Sequence, residues 1–124
     1  HRIGEDVAVP VAALPRAMAF AREQAAAQQI ETAIWGHAGD GNLHINYLIS
    51  NSDKLEVVLG LMRELAAEVT RLGGAMSGEH GLGRLKRGIA RQVLSREYFA
   101  LQARIKNAFD PQHLLNPALE AEFT

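Results

Sequence analysis

Two histidines, His37 and His44, flank a glycine-rich segment and could do chemistry together. The segment contains Asp40-Gly41, the pair that most strongly favours a two-residue β-hairpin turn, because both central positions must tolerate a positive φ. With this pair in the turn, His37 lies directly opposite His44, and opposed residues have Cβ atoms about 5 Å apart. Asn46 shares their face of the hairpin. The predicted register therefore places two imidazoles and an amide side by side.

A second chemically capable pair, Glu79-His80, lies in the glycine-rich stretch 73–88. Its glycines predict a long loop rather than a helix or a central strand, and such loops are often functional. Two imidazoles and one carboxylate suit zinc or a similar divalent ion and leave a coordination position open. The residues equally allow His37 and His44 to be core or hydrogen-bonded side chains. Spacing alone leaves both interpretations open.

Other polar and aromatic residues carry weaker signals. We interpret Trp35 as a packing residue, and the short basic run 84–87 as solvated surface rather than an anion site. Gly39 and Gly41 match the first two glycines of the dinucleotide fingerprint, but His44 stands where the third should be. The chain by itself therefore offers no motif for binding a flavin or a nicotinamide.

Hydrophobic periodicity predicts the elements that must position these residues. Strands are predicted at 5–10, 32–37 and 43–49, and helices at 14–28, 55–72 and about 98–109. Asp53 and Glu56 resemble a capping box at the start of the second helix, and Gly73-Gly74 ends that helix. After Asp110-Pro111, the segment from Leu114 to Pro117 is predicted to be an extended tail.

This order predicts an α+β fold, in which helices cover one face of a small antiparallel sheet. Strand, helix, two strands and helix make up most of a ferredoxin-like unit, and its fourth strand would come from around Ala75-Met76-Ser77. A chain of 124 residues is long enough for one domain, 1–124. Because it opens with His1 and enters a strand almost at once, we expect a fragment of a longer polypeptide.

Composition excludes several function classes. Thirteen basic and fourteen acidic residues give a net charge of −1, which provides no electrostatic basis for binding nucleic acid. The chain has no cysteine, so disulfides and thiolate metal sites are excluded and a reducing, cytoplasmic location is expected. No apolar run approaches the roughly 20 residues that a transmembrane helix needs.

The sequence resembles the C-terminal domain of FAD-linked oxidases. The segment Gly36–Asn46 is similar to the signature GHxGDGNLHxN of that domain, and Ser77–Gly83 is similar to its signature SGEHGxG. Phe109-Asp110-Pro111 with Leu115-Asn116-Pro117 resembles the third signature, FDPxxxLNPGK. This domain is the cap of flavin-dependent D-2-hydroxyacid dehydrogenases, a group that includes D-lactate dehydrogenases, D-2-hydroxyglutarate dehydrogenases and the glycolate oxidase flavin subunit.

The resemblance implies that His37, His44 and Glu79 bind a divalent metal, usually zinc. It also implies that His80 is the general base and that Asn46 binds the carboxylate of a small 2-hydroxyacid. Hydride would pass to FAD, which is bound mainly by an N-terminal domain absent from this chain, and Asn116 lies in the tail that approaches the flavin. The isolated chain would then be inactive, and an unidentified electron acceptor could place the enzyme at a membrane surface.

Two departures from the family pattern bear on specificity. Ala118-Leu119 replaces the usual Gly-Lys, which weakens the expectation of a tail contact to the cofactor. Gly4 stands where some members have a substrate-binding lysine, which argues against a long dicarboxylate substrate. Two other classes of function stay open, namely a metal-dependent hydrolase without flavin and a non-catalytic ferredoxin-like module.

Overall fold

The computed structural model describes residues 1–117. The chain divides into two compact units, His1–Gly83 and a second unit that begins at Arg84. Ala118-Leu119, the departure from the third signature, lies outside the described residues.

The first unit contains all the strands of the described chain and two of its helices. The strands are β1 (Arg2–Ala8), β2 (Glu31–His37) and β3 (Asn42–Leu48). The helices are α1 (Leu14–Ala27) and α2 (Leu55–Arg71), each preceded by one 3₁₀ turn, Val11–Ala13 and Ser52–Lys54. The predicted elements of this unit are therefore present, with ends that differ by a few residues.

The three strands form an antiparallel sheet in the order β1-β3-β2. Beyond β1, Ala75 pairs with Ala8 through two backbone hydrogen bonds of 2.9 and 2.8 Å. Within the described residues the predicted fourth strand is reduced to this single bridge. The glycines on both sides of this bridge disfavour a longer strand, because glycine gains little from sheet pairing.

The predicted two-residue turn at Asp40-Gly41 is wrong. The strands are joined by the four residues 38–41, so His37 pairs with Asn42, and Trp35 pairs with His44. Because the register differs by two residues and side chains alternate with a period of two, each predicted residue keeps its face. His37 and His44 are consequently diagonal neighbours rather than directly opposed ones.

The core lies between the sheet and the two helices. Ile45 and Tyr47 of β3 are fully buried on the face covered by α1 and α2, together with Val7 of β1. Small side chains of α1 at helical spacing let this helix approach the sheet closely; the buried ones are Ala17, Ala21 and Ala25. The predicted α+β class, with helices on one face of the sheet, is confirmed.

The predicted capping box at the start of α2 is wrong. Asp53 lies inside the 3₁₀ turn and accepts a hydrogen bond of 3.0 Å from the Asn51 side chain, and Lys54 precedes the helix. The end of α2 is as predicted, because Gly73 takes a left-handed φ of 77° just after the last turn.

The second unit contains α3 (Arg87–Val93) and α4 (Arg96–Phe109). The sequence pattern does not predict α3, because this short helix directly follows the glycine-rich loop and spans only seven residues. Nor is the segment after α4 extended. The Asp110 carboxylate accepts backbone hydrogen bonds from Leu114 and Leu115 at 2.9 and 2.8 Å and folds this segment into a turn.

Among residues 1–117, every helix is too short or too polar to cross a membrane.

Candidate active site

The sheet face opposite the helices carries the chemically capable residues. His44 lies on the central strand, with Asp6 of β1 paired on one side and Trp35 of β2 on the other. Asn46 follows two residues along the same face, and Gly4 is its partner on β1. Because β3 is the central strand, His44 is held from both sides, and only 12% of its side chain is exposed.

His37 stands at the end of β2, where the hairpin connection fixes its position. The Val9 N–H donates a 2.9 Å hydrogen bond to the Gly41 carbonyl and so ties this connection to the end of β1. Gly41 has a φ of 75°, and a Cβ there would lie 1.9 Å from the Val9 carbonyl oxygen. Only glycine allows this approach, which holds His37 beside the central strand.

The loop that carries Glu79 and His80 is anchored to β1 by a buried carboxylate. Asp6 Oδ2 accepts 2.8 Å hydrogen bonds from the backbone N–H groups of both residues, and the Ser77 hydroxyl lies 3.3 Å from it. Gly78 packs so closely that an added Cβ would lie 2.7 Å from Asp6 Oδ1 and from Asn42 Nδ2. Asp6 itself is only 3% exposed.

Three imidazoles converge on one carboxylate oxygen. Glu79 Oε1 lies 3.2 Å from His44 Nε2, 3.5 Å from His80 Nε2 and 4.0 Å from His37 Nε2. The His44 and His80 rings stack with centroids 5.2 Å apart, and the His37 ring meets His44 edge-on at 5.6 Å. Side chains far apart in sequence thus present their nitrogens toward one point.

His37, His44 and Glu79 fit a divalent metal. Their ligand atoms all lie within 4.8 Å of one another. In a tetrahedral zinc site with bonds of about 2.0–2.1 Å, ligand atoms are about 3.4 Å apart, so only small side-chain movements are needed. Two neutral imidazoles and a carboxylate are donors that zinc accepts, and the exposure of His37 and Glu79 leaves room for a further ligand.

A cavity of about 340 Å³ lies beside these ligands. It is lined by Arg2, Gly4, Glu5, Trp35, His44, Asn46 and His80. Trp35, interpreted from the sequence as a packing residue, contacts the His44 ring with centroids 6.4 Å apart, and its exposed half forms part of the cavity wall. The cavity therefore combines an aromatic wall with a guanidinium, an amide and two imidazoles.

The structure brings together His37, His44, Glu79 and His80, and Asn46 lines the adjoining cavity. Asn116 belongs to the second unit, where it has a φ of 53°, a conformation that asparagine tolerates. Sequence reasoning missed Asp6 and Arg2. The sequence did contain one signal for Asp6, namely a carboxylate within a predicted strand. If such a side chain is buried by the fold, it requires a hydrogen-bonding partner.

The chain also matches a known protein family. The family model "FAD linked oxidases, C-terminal domain" matches residues 2–119, which is nearly the whole chain. The chain belongs to this family. The expected resemblance is thereby confirmed.

Characterised and uncharacterised relatives match over most of the chain. An uncharacterised FAD-linked oxidoreductase of Mycobacterium tuberculosis is 40% identical over 92% of the chain and 24% of the relative. A glycolate oxidase subunit of Bacillus subtilis is 36% identical over 91% of the chain and 24% of the relative. A D-2-hydroxyglutarate dehydrogenase of Xanthomonas citri is 36% identical over 90% of the chain and 25% of the relative. The chain thus spans about a quarter of the length of these relatives.

Proposed function

We propose that this chain is the metal- and substrate-binding domain of an FAD-dependent dehydrogenase that oxidises a D-2-hydroxyacid to a 2-oxoacid. The observation that carries the proposal is the convergence of three imidazole Nε2 atoms on Glu79 Oε1, beside a cavity lined by Arg2 and Asn46. Relatives named as glycolate oxidase and D-2-hydroxyglutarate dehydrogenase support the reaction class.

His37, His44 and Glu79 would hold the metal, and two imidazoles with one carboxylate are donors that zinc accepts. When bound, the ion supplies Lewis-acid chemistry that lowers the pKa of a coordinated hydroxyl. Glu79 and the neutral imidazoles contribute one negative charge toward the ion. The exposed side chains of His37 and Glu79 leave the outer side of the site accessible to the substrate's hydroxyl and carboxylate oxygens.

His80 would act as the general base. Its Nε2 lies 3.5 Å from Glu79 Oε1, so a hydroxyl held beside Glu79 is within reach of this nitrogen. Two-thirds of the His80 side chain is exposed and the residue lines the cavity, which lets it take the hydroxyl proton and release it to solvent. A base next to an acidified alcohol is the arrangement that such an oxidation requires.

Asn46 and Arg2 would bind the substrate carboxylate. Asn46 is buried, and one N–H of its Nδ2 donates a long 3.4 Å hydrogen bond to the Ala33 carbonyl, so the second N–H of this amide can donate to a ligand in the cavity. Arg2 carries a planar guanidinium that matches a carboxylate in a forked pair. Together they would fix the substrate's orientation while His80 removes the proton.

FAD would bind to a separate domain, because the relatives are about four times longer than this chain. FAD, when bound, supplies the acceptor for the two electrons that leave the α-carbon. An external electron acceptor would reoxidise it. Gly4 leaves the cavity without a second cation at that position, which favours a short monocarboxylate such as lactate or glycolate.

The test measures metal content and dye-linked activity of the complete flavoenzyme with D-lactate, glycolate and D-2-hydroxyglutarate. We expect His37→Ala and Glu79→Gln to lose both metal and activity. His80→Ala should retain metal and lose about 10²–10⁴-fold in kcat, the usual contribution of a general base.

His113→Asn is the matched control, because it removes a histidine of the second unit that is not among the proposed site residues. His113 has a φ of 54°, which asparagine tolerates, so the change introduces little backbone strain. This variant should keep its metal and its activity. Full activity in metal-free wild-type enzyme would contradict the mechanism, and hydrolysis by the chain without flavin would favour the hydrolase.

A further inference from the structure

The strand β2 forms one edge of the sheet. The strand order is β1-β3-β2, and within residues 1–117 no further strand pairs with the outer side of β2. Its ladder with β3 runs without a bulge from Glu31 to His37, and the strand contains neither proline nor lysine. Bulges, proline and lysine are the devices that commonly protect an exposed edge from pairing. The outer side of β2 is therefore suited to accept another strand.

The sequence of β2 is complementary to itself in an antiparallel pair. A two-fold axis at Ile34, the middle residue of the strand, places Glu31 of one copy opposite His37 of the other. The same axis places Ala33 opposite Trp35, so the bulky indole faces a small side chain. A carboxylate opposite an imidazole is a favourable cross-strand pair, and the axis repeats each pair twice. An arbitrary strand would not match both pairs, so this complementarity favours a second copy as the occupant.

The complementary residues lie on the face that carries the candidate site. Trp35 pairs with His44, and His37 is one of the proposed metal ligands. Because side chains alternate along a strand, Glu31 and Ala33 share this face with them. Glu31, Trp35 and His37 are all exposed. A second copy paired with β2 would thus bring a carboxylate to the edge of the site.

We propose that two copies of this chain pair β2 with β2 in antiparallel orientation, so that the partner's Glu31 stands opposite His37 and supplies a carboxylate beside the metal site. Directly opposed Cβ atoms are about 5 Å apart, a distance that a glutamate side chain spans easily. Carboxylates that accept from a metal-binding histidine orient its ring and strengthen metal binding. The strand pairing requires no metal, whereas the contribution of Glu31 to metal binding rests on the proposed function.

The lack of cysteine allows the pairing to be tested with a single substitution. In Ile34→Cys, any disulfide must join two copies, because the chain has no other thiol. Residue 34 lies opposite itself across the axis, where Cα atoms are about 4.5–5.5 Å apart, a spacing that a disulfide can bridge. We expect this variant to form a covalent dimer under mild oxidation. A folded Ile34→Cys chain that stays monomeric would overturn the proposal.

Ala33→Cys is the matched control for disulfides formed by random collision. In the proposed register its two copies are diagonal neighbours with Cα atoms about 7–8 Å apart, which a disulfide does not bridge. This variant should give little covalent dimer, and circular dichroism verifies that both variants are folded. Equal yields from Ala33→Cys and Ile34→Cys would show that the proposed register is wrong.

Sedimentation of the chain without a cysteine tests the pair of Glu31 and His37. A single strand pair makes a small interface, so we expect a concentration-dependent equilibrium between monomer and dimer. Glu31→Lys removes two cross-strand pairs per dimer and should raise the dissociation constant about 2–30-fold. Glu56→Lys makes the same charge change in the first turn of α2 and should leave that constant unchanged. Equal effects of the two substitutions would contradict the proposed pair.

A Zn²⁺ titration separates this inference from the proposed function. The disulfide-linked Ile34→Cys dimer should bind Zn²⁺ about 10–100-fold more tightly than the reduced monomer, and adding Glu31→Gln should remove that gain. A linked dimer without the gain would contradict the role of Glu31. If neither form binds Zn²⁺, the proposed function fails, and the cross-linking result still decides whether β2 pairs with β2.

The complete flavoenzyme provides the last comparison. Ile34→Cys should give a covalent dimer there as well, above the level of the same enzyme without the substitution. If the chain cross-links by itself and the complete enzyme does not, another segment of the polypeptide covers β2, and the proposal is overturned for the enzyme.

Discussion

Gly78→Ala is expected to displace the loop that carries Glu79 and His80. The new Cβ would lie 2.7 Å from Asp6 Oδ1 and from Asn42 Nδ2, about 0.7 Å short of the 3.4 Å at which ordinary contact begins. Both neighbours have short side chains, are almost fully buried and stand on paired strands, so they cannot swing aside. The loop has to move instead.

The size of the effect follows from the anchoring hydrogen bonds. A shift of about 0.7 Å stretches the two 2.8 Å bonds to Asp6 Oδ2 to about 3.5 Å, the limit for a hydrogen bond. Bonds to a charged group contribute about 1.5–3 kcal/mol each, so losing both costs the loop at least about 3 kcal/mol. Hydrogen exchange of the Glu79 and His80 amides should then accelerate at least about 100-fold.

The assay is amide hydrogen exchange by NMR on the metal-free chain, followed by Zn²⁺ titration. A displacement of this size exceeds the roughly 0.2 Å tolerance of metal–ligand distances, so affinity should fall about 10-fold or more. Gly39→Ala is the control, because its Cβ meets no heavy atom within 4 Å and Gly39 needs no positive φ. Wild-type exchange rates and Zn²⁺ affinity in Gly78→Ala would show that the close packing at Gly78 does not hold the loop in place.

Two further predictions concern α2. Gly60→Ala should raise the free energy of unfolding by roughly 0.5–1 kcal/mol, because Gly60 lies inside the helix and a Cβ added there meets no heavy atom within 4 Å, and thermal unfolding of the variant checks this. Hydrogen bonding from Arg71, with Arg16 adding to it, lowers the pKa of Glu68 from 4.5 to about 2. The stabilisation is therefore complete above pH 4.5 and is lost as the pH falls toward 2, so thermal unfolding of Glu68→Gln should show a weaker pH dependence in this window than wild type.

Local signals predicted the elements of the first unit because each element obeys its own periodicity. The α1 pattern of small apolar residues reappears as a buried face, and the apolar residues Leu43, Ile45 and Tyr47 of β3 are all buried. The errors came where local preference competes with tertiary contact. The Asp40-Gly41 pair favours a two-residue turn, but the bond from Val9 to Gly41 fixes a four-residue connection.

The same distinction, between what local sequence predicts and what tertiary contacts decide, applies to the candidate site. Strand alternation was enough to establish which side chains share the hairpin face, because a register error of two residues leaves the alternation of faces intact. The family was also readable from the residues alone, through long signatures that the match over residues 2–119 confirms.

The joining of these side chains into one site, in contrast, depends on tertiary contacts. Glu79 and His80 lie 73 and 74 residues from Asp6 in the chain, and no periodicity relates positions that distant. Their meeting depends on the Ala8–Ala75 bridge, on the space left by Gly78 and on a buried carboxylate whose donors are backbone N–H groups. Backbone donors are common to almost every residue, so sequence carries no signal for the bonds that hold the loop in place.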